Sequence, residues 1–149
     1  TRYTAEEGDA EALDLVERFV ETVEATLPAE ATIVKTIGDE VMIVSSDAPM
    51  LTEWAVGFLT MFDERPRPRT GIHLGDAVYR DGDYFGADVN LAHRVVARAL
   101  AGEVLVTRSV VEAIGPTEYL DLEPIGELSL KGFPEPFELF VAAASRSGV

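Results

Sequence analysis

Apolar residues return every three or four positions from Leu13 through Val16, Val20 and Val23 to Leu27. That period predicts an amphipathic helix over residues 6–27, stopped by Pro28. The period then drops to two: "ATIVKT" and "EVMIVSS" predict two strands around the tight "IGDE" turn, a β-hairpin. Leu51, Ala55, Phe58 and Phe62 restore helical spacing across residues 48–62, and "RPRP" (65–68) predicts a loop of restricted backbone. "RTGIHLGDAVYR" predicts one or two strands with Ile72 and Leu74 on one face, and "DGDYFG" supplies turn residues. "ADVNLAHRVVARAL" predicts a helix, "GEVLVT" a buried strand and "RSVVEAIG" a short helix ended by glycine. The tail "LSLKGFPEPFELFVAA" predicts a strand, a Pro-Gly loop and another strand. Strands alternate with helices, yet hairpins are present too. The pattern predicts an α+β fold, a ferredoxin-like α/β sandwich whose central, mostly antiparallel sheet carries helices on one face.

Composition narrows the function more than the fold. The 149 residues suit one domain with a proper core, and 47% hydrophobic with 26% charged residues is ordinary for a globular protein. Twelve basic against 27 acidic residues leave a net charge of −15. Such a surface repels phosphate backbones, so nucleic acid is not an expected partner, and an anionic ligand would need locally placed cations or metal ions. With no cysteine there can be no disulfide, thiolate zinc site or cysteine nucleophile. No apolar run approaches the length of a membrane span, and no signal peptide is visible, so this segment is expected to make no membrane contact and to lie in the cytoplasm.

Against this background a few polar residues stand out. Lys35 and Asp39 interrupt a run in which Ile33, Val34, Ile37, Val41, Ile43 and Val44 belong in a core. Asp39 follows a glycine in the hairpin turn, which suits either a plain turn aspartate or a ligand for a hard cation such as Mg²⁺. Lys35 reads equally as an edge-strand lysine that blocks aggregation. Asn90 and Arg94 lie one helical turn apart and could converge with Asp83, or could form an exposed polar stripe. His73 and His93 share no metal-ligand spacing and read as structural or surface residues.

Taken in order, "VKTIGDEVM", "RTGIHLGDAVYRDGDYFGADVNLAHR", "GEVLVT" and "LSLKGFPEPFELF" closely resemble the class III adenylyl/guanylyl cyclase catalytic domain, most like bacterial adenylyl cyclases, from residue 1 to about residue 141. The resemblance implies formation of 3′,5′-cyclic nucleotide and pyrophosphate from a nucleoside triphosphate, with two Mg²⁺ or Mn²⁺ per site, at the interface of a homodimer. It implies that Lys35 and Asp83 read the base and that Lys131 of "LKGFPEP" holds the terminal phosphates. It assigns Asn90 and Arg94 to the ribose and the reacting phosphate, and Asp39 to a metal. The family carries its first metal aspartate on an initial strand ending in a "GFT"-like turn, and Thr1 aligns with the end of that turn. The resemblance therefore implies one catalytic domain over residues 1–149, truncated at its N terminus, with that strand missing, metal binding weakened and little or no activity expected of these residues alone.

Those assignments are chemically coherent. Adenine offers an acceptor at N1 and a donor at N6, which a lysine donor and an aspartate acceptor match, whereas guanine presents the inverse pattern. ATP is therefore the expected substrate, with a guanylyl cyclase as the alternative. A non-catalytic cyclase-homology domain that binds nucleotide or a partner is the rival from another class. A ferredoxin-like RNA-binding module is disfavoured by the charge and by the lack of basic-aromatic patterning.

Overall fold

The structure, a computed structural model, describes residues 2–146. The chain runs α1 (Arg2–Thr26), β1 (Ala31–Ile37), β2 (Glu40–Ser45), α2 (Ala48–Met61), β3 (Thr70–Ile72), β4 (Val78–Arg80), β5 (Asp83–Phe85), α3 (Ala87–Arg98), β6 (Val104–Thr107), α4 (Arg108–Ile114), β7 (Leu120–Leu128) and β8 (Phe137–Ala144). The α+β class expected from the pattern is the class found. The strands divide among a four-stranded sheet of order β3-β6-β8-β7 and two separate hairpins, β1-β2 and β4-β5. Only β3 and β6 pair in parallel; the other neighbours are antiparallel.

The expectation of helices on one face is corrected. Val104 and Val106 of β6, with Phe140 and Ala142 of β8, pack against Ala55 of α2 and Val110 of α4. The alternate residues Leu105 and Leu139 pack against Leu91, Val95 and Ala99, on and just beyond α3. Helices thus cover both faces. The reason is visible in β6, whose four residues are all buried; a strand apolar on both sides needs cover on both sides.

The third cluster joins α1, α2 and the β1-β2 hairpin around Val23, Phe58 and Phe62. Phe19 meets Phe58 and Phe62 edge-to-face, each at 5.7 Å between centroids, an arrangement favoured by the ring quadrupoles. The stripe of α1 that packs on this cluster is therefore buried Val23 with partly buried Leu15 and Phe19, spaced by four, and Leu13 instead points to solvent at 65% exposure. At the start of α2, Asp47 caps the helix by accepting from the Met50 backbone N–H at 3.0 Å. The tail also differs from expectation. β7 begins at Leu120, because its "DLEPIGE" stretch, polar and containing proline, is an edge strand exposed along most of its length and bulged between Pro124 and Gly126.

Candidate active site

The interruption of β1 by Lys35 has a local cause. β1 and β2 pair regularly from Ala31 opposite Ser45 to Ile33 opposite Ile43, and then Lys35, not Val34, faces Met42. The extra residue makes a bulge, which bends the strand and re-aims the side chain beside it. The Lys35 ammonium leaves its own hairpin and donates to Asp83 Oδ2 of β5 at 2.7 Å. Asp83 Oδ1 accepts from the Tyr84 backbone N–H, also at 2.7 Å. The bond from Lys35 first, and that from Tyr84 second, hold the Asp83 carboxyl below the usual carboxylate range, although partial burial pushes the other way. The two side chains keep 37% and 24% of their exposure, so an incoming ligand can reach both.

Asp83 was expected among turn residues and lies on a strand. Only Asp81 and Gly82 form the turn, both with positive φ (52° and 80°). That is the requirement of a two-residue hairpin turn, so the strand resumes at residue 83. Five residues after Asp83, Asp88 sits in the first turn of α3. Its Oδ1 is 2.7 Å from His73 Nε2, and its Oδ2 accepts from the Asp76 backbone N–H at 3.0 Å. His73 Nδ1 lies 2.7 Å from Thr107 Oγ1, at the head of α4. The bond to His73 chiefly, with that from Asp76, lowers the Asp88 carboxyl below its usual range. His73, read as structural from sequence, thus ties β3 to the starts of both α3 and α4. Gly75 is required beside it, since a Cβ there would collide with the Asp88 carboxylate.

Helix α3 lies close on β3: a Cβ on Gly71 would stand 2.5 Å from the Val96 backbone nitrogen. The helix therefore holds a fixed height over the sheet while Asn90 and Arg94 face outward. Opposite them, the loop between β7 and β8 is anchored by buried Leu130, by Arg98 donating to the Ser129 carbonyl at 3.0 Å, and by Phe133 edge-to-face on Phe137. Between helix and loop opens a cavity of about 500 Å³ lined by Ala87, Asn90, His93, Arg94, Lys131, Gly132 and Phe133. Arg94, Lys131 and an imidazole line it, and among the described residues no carboxylate does. On a chain of net charge −15, such a local reversal of sign focuses anions. His93 was passed over in the sequence, yet its place between Asn90 and Arg94 on one face of α3 was the available signal.

Asp39 joins neither group. It is exposed in the β1-β2 turn after Gly38, whose φ is 57°. Among the described residues no set of three or more His, Cys, Asp or Glu side chains is gathered to hold a metal. A single free carboxylate on a turn fits a hard cation that takes its remaining ligands from water and phosphate oxygens, and does not make an all-protein cage. The sequence-assigned residues thus fall into three places: Lys35 with Asp83, Asn90 with Arg94 and Lys131, and Asp39 apart.

Residues 3–143 match the family described as the adenylate and guanylate cyclase catalytic domain. A pH-sensitive adenylate cyclase of Mycobacterium tuberculosis is 43% identical over 91 residues, 59% of this chain and 23% of its own length. An adenylate cyclase of Streptomyces griseus is 40% identical over 111 residues, 71% of this chain and 28% of its own length. The chain thus spans about a quarter of each of these curated relatives. In fold it is similar to the adenylyl cyclase CyaB from P. aeruginosa, with a TM-score of 0.73 and 23% identity over 92% of this chain and 84% of that one.

Proposed function

The chain belongs to the adenylate and guanylate cyclase catalytic domain family, and from that premise we propose that it is an adenylyl cyclase, converting ATP to 3′,5′-cyclic AMP and pyrophosphate at the interface of a homodimer. Residues 1–149 act as one catalytic domain, placed in the cytoplasm where ATP is available. The observation that carries the choice of ATP is the Lys35–Asp83 pair, 2.7 Å apart and still partly exposed. Side by side, a donor and an acceptor suit adenine N1 and N6, and they would leave guanine's N1–H and O6 mismatched.

The remaining residues divide the work by chemistry. Lys131 and Arg94 neutralise the triphosphate, and Arg94 meets the charge that develops at the α-phosphate as the 3′-oxygen attacks. Asn90 orients the ribose, so that the attacking oxygen lies in line with the leaving pyrophosphate. Asp39 would hold Mg²⁺ or Mn²⁺ together with phosphate oxygens. When bound, two such ions would supply an acidified 3′-hydroxyl and charge neutralisation on the leaving group.

Two features support a dimer with shared sites. Lys35 and Asp39 stand four residues apart, yet one is assigned to the base and the other to the metals, which lie at opposite ends of a nucleotide. A two-fold pairing lets Asp39 of one subunit serve the Lys35, Asp83, Asn90 and Arg94 of the other. In addition Val78, Tyr79 and Phe85 of the β4-β5 hairpin are 52–63% exposed. A lone two-stranded hairpin with an apolar surface gains stability from such a partner. The test is incubation of the purified protein with ATP or GTP and Mg²⁺ or Mn²⁺, with cyclic products separated by chromatography. In whatever turnover is detected, cyclic AMP is expected to exceed cyclic GMP; preferential cyclic GMP would overturn the reading.

A further inference from the structure

His93 has no place in the catalytic scheme above, yet it lines the same cavity as Asn90, Arg94 and Lys131. On α3 it stands three residues after Asn90 and one before Arg94, so all three share about a third of the helix circumference. It is exposed, and no described residue hydrogen-bonds to its ring. From its own helix it is joined at the cavity wall by Arg94, and from the facing loop by Lys131. Among the described residues no acid lines the space. The one carboxylate of α3, Asp88, is engaged by His73 and the Asp76 backbone.

We infer that His93 is a further polyphosphate-contacting residue, a third cation that the cavity gains when the imidazole is protonated and that makes nucleotide and pyrophosphate affinity depend on pH. The inference rests on the cyclase reading. Imidazoles as a class titrate near neutrality, whereas guanidinium and alkylammonium groups as classes titrate far above it. A tetra-anion seated among these groups favours the imidazolium, so binding takes up a proton at His93, and by linkage a more acid medium binds the anion more tightly. The same contact persists after cleavage, because the leaving pyrophosphate keeps its charge in the cavity. His93 therefore affects product release as well as substrate capture.

The experiment is isothermal titration calorimetry of inorganic pyrophosphate and of 3′-deoxy-ATP, which lacks the attacking hydroxyl and cannot cyclise, Mg²⁺ present throughout, at pH of about 6 and about 8. Two buffers of different ionisation enthalpy report the protons taken up, and the wild-type protein is compared with His93→Gln and His93→Lys. The ligand's own titration is common to the three proteins and cancels in the comparison. Wild type is expected to bind about tenfold more tightly than His93→Gln at the lower pH and to take up more protons, the two converging at the higher pH. His93→Lys, charged throughout, should keep tight binding at both. Equal pH dependence and proton uptake in wild type and His93→Gln would sink the inference while leaving the cyclase reading intact. Failure of the wild type to bind either anion would remove both, because the cavity would then not be a phosphate site.

Discussion

The double substitution Lys35→Glu with Asp83→Cys should reverse the nucleotide preference. The two native side chains meet at 2.7 Å between hairpins that share no strand pairing, and they keep 37% and 24% of their exposure. A hydrogen bond from a charged group to a base edge in such a half-wet place is worth about a factor of ten. Two of them, one to N1 and one from N6, make about a hundredfold in kcat/KM for ATP. The introduced glutamate offers an acceptor for guanine's N–H groups, and the introduced cysteine only a weak donor for O6. GTP use should therefore rise by less than ATP use falls. The ATP:GTP ratio of kcat/KM is predicted to drop by at least about a hundredfold. The assay is initial-rate formation of each cyclic nucleotide by the double variant and both single variants, with circular dichroism to check folding. The singles matter because each leaves one charge without its partner, and the cycle separates that penalty from base reading. An unchanged ratio in the folded double variant would show that this pair does not face the base, and that its salt bridge only joins two hairpins.

Asp39→Ala and Asn90→Ala homodimers should each be nearly inactive; on co-expression, random pairing makes half the dimers mixed with one intact site in two, so roughly a quarter of wild-type activity should return, and mixed dimers that stay dead would refute shared sites. Because Asp88 has its carboxyl held below the usual range, the stability it contributes is present above pH of about 4 and is lost as pH falls through its lower folded value. Thermal melts from pH of about 5 to about 2 should therefore show a steeper loss in wild type than in Asp88→Asn, and parallel slopes would count against the His73–Asp88 link. Leu139→Ala, at a β8 position with 0% exposure in the cluster that joins the sheet to α3, should cost about 3 kcal/mol in urea unfolding; a change below about 1 kcal/mol would mean that the α3 face of the sheet is not tightly packed.

The elements were largely legible in the chain because they rest on near-neighbour physics. Helical spacing located α1, α2 and α3, Gly115 marked the end of α4 with its φ of 64°, and the glycine-aspartate turn announced the first hairpin. The residue types at the site were legible for the same reason, as short motifs in a fixed order. What the pattern did not carry is how segments distant in sequence meet. Nothing local to Val34 signals the bulge that turns Lys35 toward a residue 48 positions away. Nothing in "GIHLG" shows that His73 clasps Asp88 and Thr107. The side of the sheet that each helix takes was likewise undetermined, since β6 is apolar on both faces and accepts cover on either. By itself the sequence determined most of the segments that become helix or strand, β5 and the start of β7 excepted, and which chemical groups are available, because backbone propensity and periodicity act over a few residues. Only the tertiary structure decided that Lys35 finds Asp83 and that His93 joins Arg94 and Lys131 at one cavity. Those proximities depend on packing between elements, and packing is a property of the whole chain.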